Sequence, residues 1–159
     1  MTAVVLERAM QPTEEVVALL GELNRALDVG YAPDQKHALS VDQLFQPNIR
    51  FFLARLDDVA VACGGIGFYE GYAELKRMYA KPEVRGKGVA KALLQRLETE
   101  ARALGVMVVH IETGNLQHEA MRFYEREGYA RCAAFGPYAA MAPTAIATSV
   151  FYAKVLAAG

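Results

Sequence analysis

The stretch Val84-Arg85-Gly86-Lys87-Gly88-Val89-Ala90 lies between two segments of different periodicity. Before it, Tyr72 to Tyr79 reads as a strand, closed by Lys81-Pro82. After it, Val89, Leu93, Leu94, Leu97, Ala101 and Leu104 form a helical stripe that Gly105 stops. The stretch is therefore a strand-to-helix loop, and the helix N-terminus points into it. The first amides of a helix lack an internal partner and carry partial positive charge. Glycines let the backbone approach a ligand closely, and Arg85 and Lys87 add full charges. A diphosphate suits such a loop. An ordinary turn with solvated basic residues is the alternative. No Gly-x-x-x-x-Gly-Lys-Ser/Thr is present, which argues against a P-loop NTPase. Gly65-Ile66-Gly67 is followed by Glu70 where a dinucleotide fingerprint needs glycine, and no helix follows. It reads as a glycine-softened strand or bulge.

Working outward, Val106 to Glu112 is a second strand after the helix, which implies a right-handed parallel crossover. Upstream, Arg50–Leu56, Val59–Phe68 and Tyr72–Tyr79 are joined by Asp57-Asp58 and Glu70-Gly71, the pattern of an antiparallel meander. Residues 2–7 alternate as a strand. Thr13 caps a helix whose stripe is Val16, Val17, Leu19, Leu20, Leu23 and Leu27, ended by Gly30. Ser40 opens a second short helix, with Gln43 completing a capping box. Downstream come a turn at Thr113–Asn115, a helix over Leu116–Glu127, a strand over Tyr129–Phe135, a loop over Gly136–Thr148 and a last strand over Ser149–Leu156. The expected architecture is a mixed α/β single domain spanning 1–159.

Composition agrees. The 159 residues are 53% hydrophobic and 22% charged, enough to bury one core and too apolar for a disordered chain. No apolar run reaches the roughly 18 residues that span a membrane. No basic start precedes a long apolar stretch, so no signal peptide is expected. Two cysteines, Cys63 and Cys132, make neither a metal cluster nor a disulfide framework, and a reducing cytoplasm is the expected setting. The net charge of -1 is unevenly spread. Residues 1–75 carry 5 Lys/Arg against 11 Asp/Glu, whereas residues 76–96 carry 7 Lys/Arg against Glu83 alone. A compact basic patch in an acidic chain suits a small anionic ligand better than a nucleic acid, whose binders are usually basic throughout.

The loop and a later segment resemble the GNAT N-acetyltransferases. Their signature, Gln/Arg-x-x-Gly-x-Gly/Ala, stands here as Arg85-Gly86-Lys87-Gly88-Val89-Ala90. A second family segment runs from Asn115 through Ala120 and Phe123-Tyr124-Glu125 to Gly128-Tyr129. Glu74 to Met78, Glu112-Thr113-Gly114 and Phe135 to Tyr138 are similar to a subgroup of small bacterial members. The resemblance covers residues 50–156 and implies a GNAT-like domain: a mostly antiparallel sheet, a splayed parallel pair and flanking helices. It also implies acetyl-CoA as donor substrate, without a metal. The backbone of Met78, Tyr79 and Ala80 would pair with the pantetheine arm. The amides of Arg85, Gly86, Lys87, Gly88, Val89 and Ala90 would hold the diphosphate, and Asn115 would contact the arm. Tyr124 would sit near the thioester sulfur. The implied partners are acetyl-CoA and a small amine, with no nucleic acid, no membrane and a possible second copy as homodimer.

Acetyl transfer to an amine needs a neutral amine, a stabilised oxyanion and a proton for the departing thiolate. Tyr124 is the candidate acid; a half-buried structural tyrosine is the alternative. Glu74 is the candidate base, directly or through water, on the strand face it is expected to share with Lys76 and Met78. A salt bridge with Lys76 is its alternative. His110 and Glu112 share a face of the next strand, where they line a substrate cleft or satisfy each other. His37 and Tyr31 belong to the N-terminal loop expected to shape the acceptor site, with Asp34, Tyr69 and Tyr138 from the surrounding segments. His118 reads as solvated and both cysteines as buried thiols. Three functions follow: transfer of an acetyl group to a small molecule or amino acid amine (or to a protein amine); a non-catalytic acyl-CoA-binding module; and nucleic-acid binding by the 76–96 patch, near which few aromatics lie.

Overall fold

In the computed structural model, which describes residues 3–158, the meander forms the centre of the sheet. Strands β2 (Ile49–Leu56) and β3 (Val59–Tyr69) are joined by Asp57 and Asp58, at φ 49° and 64°. Two left-handed residues in a row make the turn that matches strand twist. Gly71, at φ 85°, is the one left-handed residue of the Glu70–Gly71 turn between β3 and β4 (Tyr72–Ala80). Strand β1 (Val5–Ala9) pairs antiparallel with β2; Thr2 of the expected strand lies outside the described residues. Strand β5 (Val108–Gly114) runs parallel to β4, and β7 (Ser149–Val155) pairs antiparallel with β5. The short β6 (Ala130–Arg131) closes that edge, so the order is β1-β2-β3-β4-β5-β7-β6.

Each face of the sheet takes one long helix. α1 (Glu14–Leu27) starts where the Thr13 hydroxyl accepts the Val16 amide at 3.3 Å. It buries Val16, Leu19 and Leu20 against Phe51, Leu53 and Cys63. α2 (Val89–Ala103) buries Leu93, Leu94 and Leu97 against Phe52, Ile66, Leu75 and Val109 on the other face. α3 (His118–Arg126) joins that second layer through Tyr124. Each such aliphatic side chain contributes roughly 2 kcal/mol on burial. The mixed α/β class and the mostly antiparallel sheet with one parallel pair are as expected. No helix among the described residues is long and apolar enough to cross a membrane.

Four local expectations change. The capping box at Ser40 forms, with the Ser40 amide on Gln43 Oε1 at 2.8 Å, but only a single 3-10 turn follows at Asp42–Phe45. Pro47 disfavours helical backbone at Gln46, which sits at ψ 155°. The strand expected over Tyr129–Phe135 is only β6, because the chain then leaves the sheet to bury Phe135 against Tyr138 and Phe151. The Gly136–Thr148 loop folds into a 3-10 turn at Gly136–Ala140 and α4 (Pro143–Ile146), each with proline at its start. Finally, Glu74, Lys76 and Met78 do not share a face. Arg77 is a bulge residue at φ 55°, and the β3–β4 register slips between Cys63 and Gly65. The extra residue turns Met78 to the α2 side, where its sulfur lies over Gly64 and leaves no room for a Cβ.

Candidate active site

β4 and β5 pair only at Ala73–Val109 and Glu74–His110. Beyond Glu74, β4 continues to Ala80 paired with β3 alone, so its other backbone edge is free where the two strands part. Met78, Tyr79 and Ala80 lie on that edge. The Tyr79 side chain turns away and donates to Glu22 Oε1 at 3.0 Å. A cleft opens between the strands, walled by Lys76, Arg77 and Met78 of β4, Glu112 and Thr113 of β5, and Tyr124 of α3. Residues 31–39 pass over it as a strap. Tyr31 Oη accepts the Leu116 amide at 2.8 Å, and His37 Nε2 meets the Ala145 carbonyl at 2.7 Å.

At the far end of β4, a 3-10 turn at Pro82–Val84 leads into the glycine loop. Gly86 and Gly88 sit at φ 82° and 80°, and a Cβ on either would meet nothing within 4 Å. Backbone conformation, not crowding, therefore selects glycine there. Gly88 caps α2 without a side chain, and the first turn holds no acidic residue. The leading amides of α2, from Val89 and Ala90 onward, thus keep their partial charge uncompensated. Arg85 ties the loop to α3, with Nη1 on Glu119 at 3.1 Å and Nε on the Ala80 carbonyl at 3.3 Å. Asn115 lies exposed on the turn between β5 and α3, its amide on the Thr148 carbonyl at 2.8 Å.

The basic patch does not survive as one surface. Lys76 pairs with Glu74, Lys81 with Glu22, Arg85 with Glu119 and Arg96 with Glu100. Arg77 is half-buried in the cleft wall. Lys87 and Lys91 stay exposed beside the α2 N-terminus. Among the described residues no group of three or more His, Cys, Asp or Glu could hold a metal ion.

Tyr124 has a ring only 4% exposed, packed beside Tyr129 and Tyr152. The residue lines the cleft, its hydroxyl makes no hydrogen bond among the described residues, and burial pushes its pKa up. It is a phenol that keeps its proton and engages no other group among the described residues. Glu74 is buried, with Oε1 accepting from Lys76 Nζ and Oε2 from Tyr138 Oη, both at 2.8 Å. Glu112 accepts from Ser149 Oγ at 2.7 Å, and burial raises its carboxyl pKa. His110 does not bond Glu112. Its Nδ1 lies 3.2 Å from the Tyr152 carbonyl and its ring stacks on Phe135 at 4.1 Å. His118 is exposed. Cys63 is fully buried, its thiol pushed up to about 12 by burial.

The fold thus brings Tyr31, His37, Glu74, Met78, Glu112 and Tyr124 into one cleft, with Tyr138. It leaves His110, Asp34 and Tyr69 out of the lining; Tyr69 instead lies under Lys76 Nζ at 5.4 Å. Arg77 was invisible as a site residue. In sequence it is one cation in a basic run, and nothing there announces a bulge.

The model of the acetyltransferase (GNAT) family matches residues 16–129. The IAA acetyltransferase of Azospirillum brasilense is 38% identical over 140 residues, 87% of this chain and 92% of that protein. A crystal structure described as an acyl-CoA N-acyltransferase from Klebsiella pneumoniae superposes with TM-score 0.80 at 32% identity, over 97% of this chain and 98% of the other. The PaiA N-acetyltransferase of Thermoplasma acidophilum, solved in complex with coenzyme A, shares the fold at TM-score 0.71 and 14% identity, over 96% and 99% of the two chains.

Proposed function

The chain belongs to the GNAT acetyltransferase family, and we propose that it moves the acetyl group of acetyl-CoA to the primary amine of a small molecule or amino acid, by direct attack in a ternary complex. The observation that carries this reading is the parting of β4 and β5 beside an uncapped helix N-terminus. The backbone edge of Met78, Tyr79 and Ala80 offers hydrogen bonds to the amide-bearing pantetheine arm. The amides of Arg85 to Ala90, with Lys87, take the diphosphate. Asn115 contacts the arm.

In this reading Glu74 removes the proton that keeps the amine from attacking. Lys76 and Tyr138 hold its carboxylate in place, and each oxygen retains a second acceptor direction. As the nitrogen–carbon bond forms and the carbon–sulfur bond breaks, Tyr124 gives its proton to the departing thiolate, and the proton that the nitrogen sheds as it becomes an amide passes through solvent to restore the phenol. Tyr31 and His37 hold the strap over the acceptor. The setting is the cytoplasm, where Cys63 and Cys132 stay reduced, and a homodimer is part of the same reading.

Calorimetric titration with acetyl-CoA, CoA, ATP and NAD tests the first half. Saturable binding of acetyl-CoA and none of NAD is expected, and absence of acetyl-CoA binding overturns the reading. A thiol-release screen of amines tests the second half. Acetyl-CoA binding with no amine turned over would return the acyl-CoA-binding module.

A further inference from the structure

We propose that Arg77 binds a carboxylate on the acceptor, so that the acceptor is an amine that also carries a carboxylate, as an amino acid does. This rests on the acetyl-transfer reading and specifies its substrate class.

Arg77 lines the cleft wall, and its position there is imposed by backbone. It is the bulge residue of β4, at φ 55°, a conformation that bulky side chains rarely adopt. Bulges beside a site re-aim side chains, and such strain collects at ligand clamps. The guanidinium spends Nη2 on Asn24 Oδ1 of α1. Nε and Nη1 are buried and have no acceptor.

The neighbouring charges sharpen the point. Lys36 pairs with Asp28 at 2.7 Å, and Lys76 pairs with Glu74 at 2.8 Å. Arg77 forms no ion pair with any carboxylate among the described residues. Neither cleft carboxylate bonds Arg77: Glu74 accepts from Lys76 and Tyr138, and Glu112 from Ser149. An unpaired cation away from water is strongly disfavoured, so a ligand that brings the missing anion gains by pairing with it. Nε and Nη1 point from different edges of the guanidinium, and each can give a carboxylate oxygen one charge-assisted hydrogen bond. The donor's phosphates do not supply this charge. Their place is the glycine loop beyond the end of β4, and the arm that would lie along β4 is uncharged. Glu74 and Arg77, three residues apart on one strand, thus offer an anion for the ammonium and a cation for the carboxylate of one small molecule.

The test is thiol release with matched pairs: phenylalanine with phenethylamine, leucine with isoamylamine, tyrosine with tyramine. The unmodified protein should prefer the carboxylate member at least about tenfold in kcat/KM. Arg77→Met should raise KM for that member about 10–100-fold, the range for a hydrogen bond to a charged group, with kcat nearly unchanged. The plain amine should be unaffected, and Arg77→Lys should recover part of the loss. Equal losses on both members, or a preference for the plain amine, would overturn the proposal. Should Arg77→Met fail to fold, or no amine turn over, the Arg77 Nε–H resonance of the CoA-loaded unmodified protein decides. A saturable shift with the amino acids and none with the plain amines supports it; no shift with any amino acid overturns it. Acetyl-CoA calorimetry on the same preparation separates the two levels. Lost donor binding sinks the acetyl-transfer reading, whereas intact donor binding without carboxylate discrimination sinks this proposal alone.

Discussion

Tyr124 and Glu112 show how burial shifts proton affinity at two residues of one cleft. Tyr124 holds a phenol that no protein group engages, and its raised pKa keeps it protonated at working pH. Replacing it with phenylalanine should lower turnover about 100-fold, the scale of one positioned acid, while acetyl-CoA affinity stays within a few-fold. Thiol release and calorimetry read the two quantities. Glu112 is raised by burial, with Ser149 pulling the other way. Its folded pKa lies above the ordinary value of 4.5, so the folded chain binds more protons than the unfolded one in that window. Stability therefore falls as pH rises from about 4.5 through the folded value. Glu112→Gln lacks that fall, and its Tm should gain on the parent as pH rises from about 4.5 through the folded value. A constant difference across that range would mean that Glu112 ionises as freely folded as unfolded. Neither environment was readable in advance. The motif located Tyr124, but the rings of Tyr129 and Tyr152 that bury it arrive from elsewhere in the chain.

Among the elements, the loop before α2 was the most legible part of the molecule. Its glycines, its charges and the stripe behind it are all local, and local chemistry decides a strand-to-helix turn. Gly88→Ala should cost about 1–2 kcal/mol in urea unfolding, the penalty for a side chain in left-handed backbone. It should also weaken acetyl-CoA binding, because the strained turn carries the first amides of α2. The meander was legible for the same reason: Asp57-Asp58 and Glu70-Gly71 leave little choice but tight turns. The bulge at Arg77 was not. Strand alternation put Met78 beside Glu74; the φ of Arg77, the slip of register against β3 and the packing of Met78 over Gly64 show the added residue. The stub of β6 was illegible too, since Phe135 leaves the sheet for partners at Tyr138 and Phe151.

Across the whole molecule, four of the seven cations of the basic run are tied down by carboxylates, and two of these carboxylates, Glu22 for Lys81 and Glu119 for Arg85, are distant in sequence, which composition could not show. A further pair ties the last strand to α2. Lys154 of β7 reaches Glu98 of α2 at 3.0 Å, and Tyr129 donates to the same carboxylate at 2.8 Å. Glu98 is nearly inaccessible, so Glu98→Ala strands a cation and a phenol at once. It should destabilise by about 3 kcal/mol in urea, and loss of less than about 1 kcal/mol would assign the three groups to the surface regime. The domain as a whole was legible because its layers follow from periodicity. The cleft's contents were not, because they come from four separate segments. The parting of β4 and β5 has a consequence for cohesion. Among the described residues, two residue pairs are the only strand rungs between the meander and the β5–β7 pair. A ligand that lay along the free edge of β4 would supply rungs the polypeptide itself omits, and so act as an eighth strand. Breathing of the seam, read by amide exchange in β5, would then be governed by donor supply, and the enzyme would hold together most firmly while it is loaded.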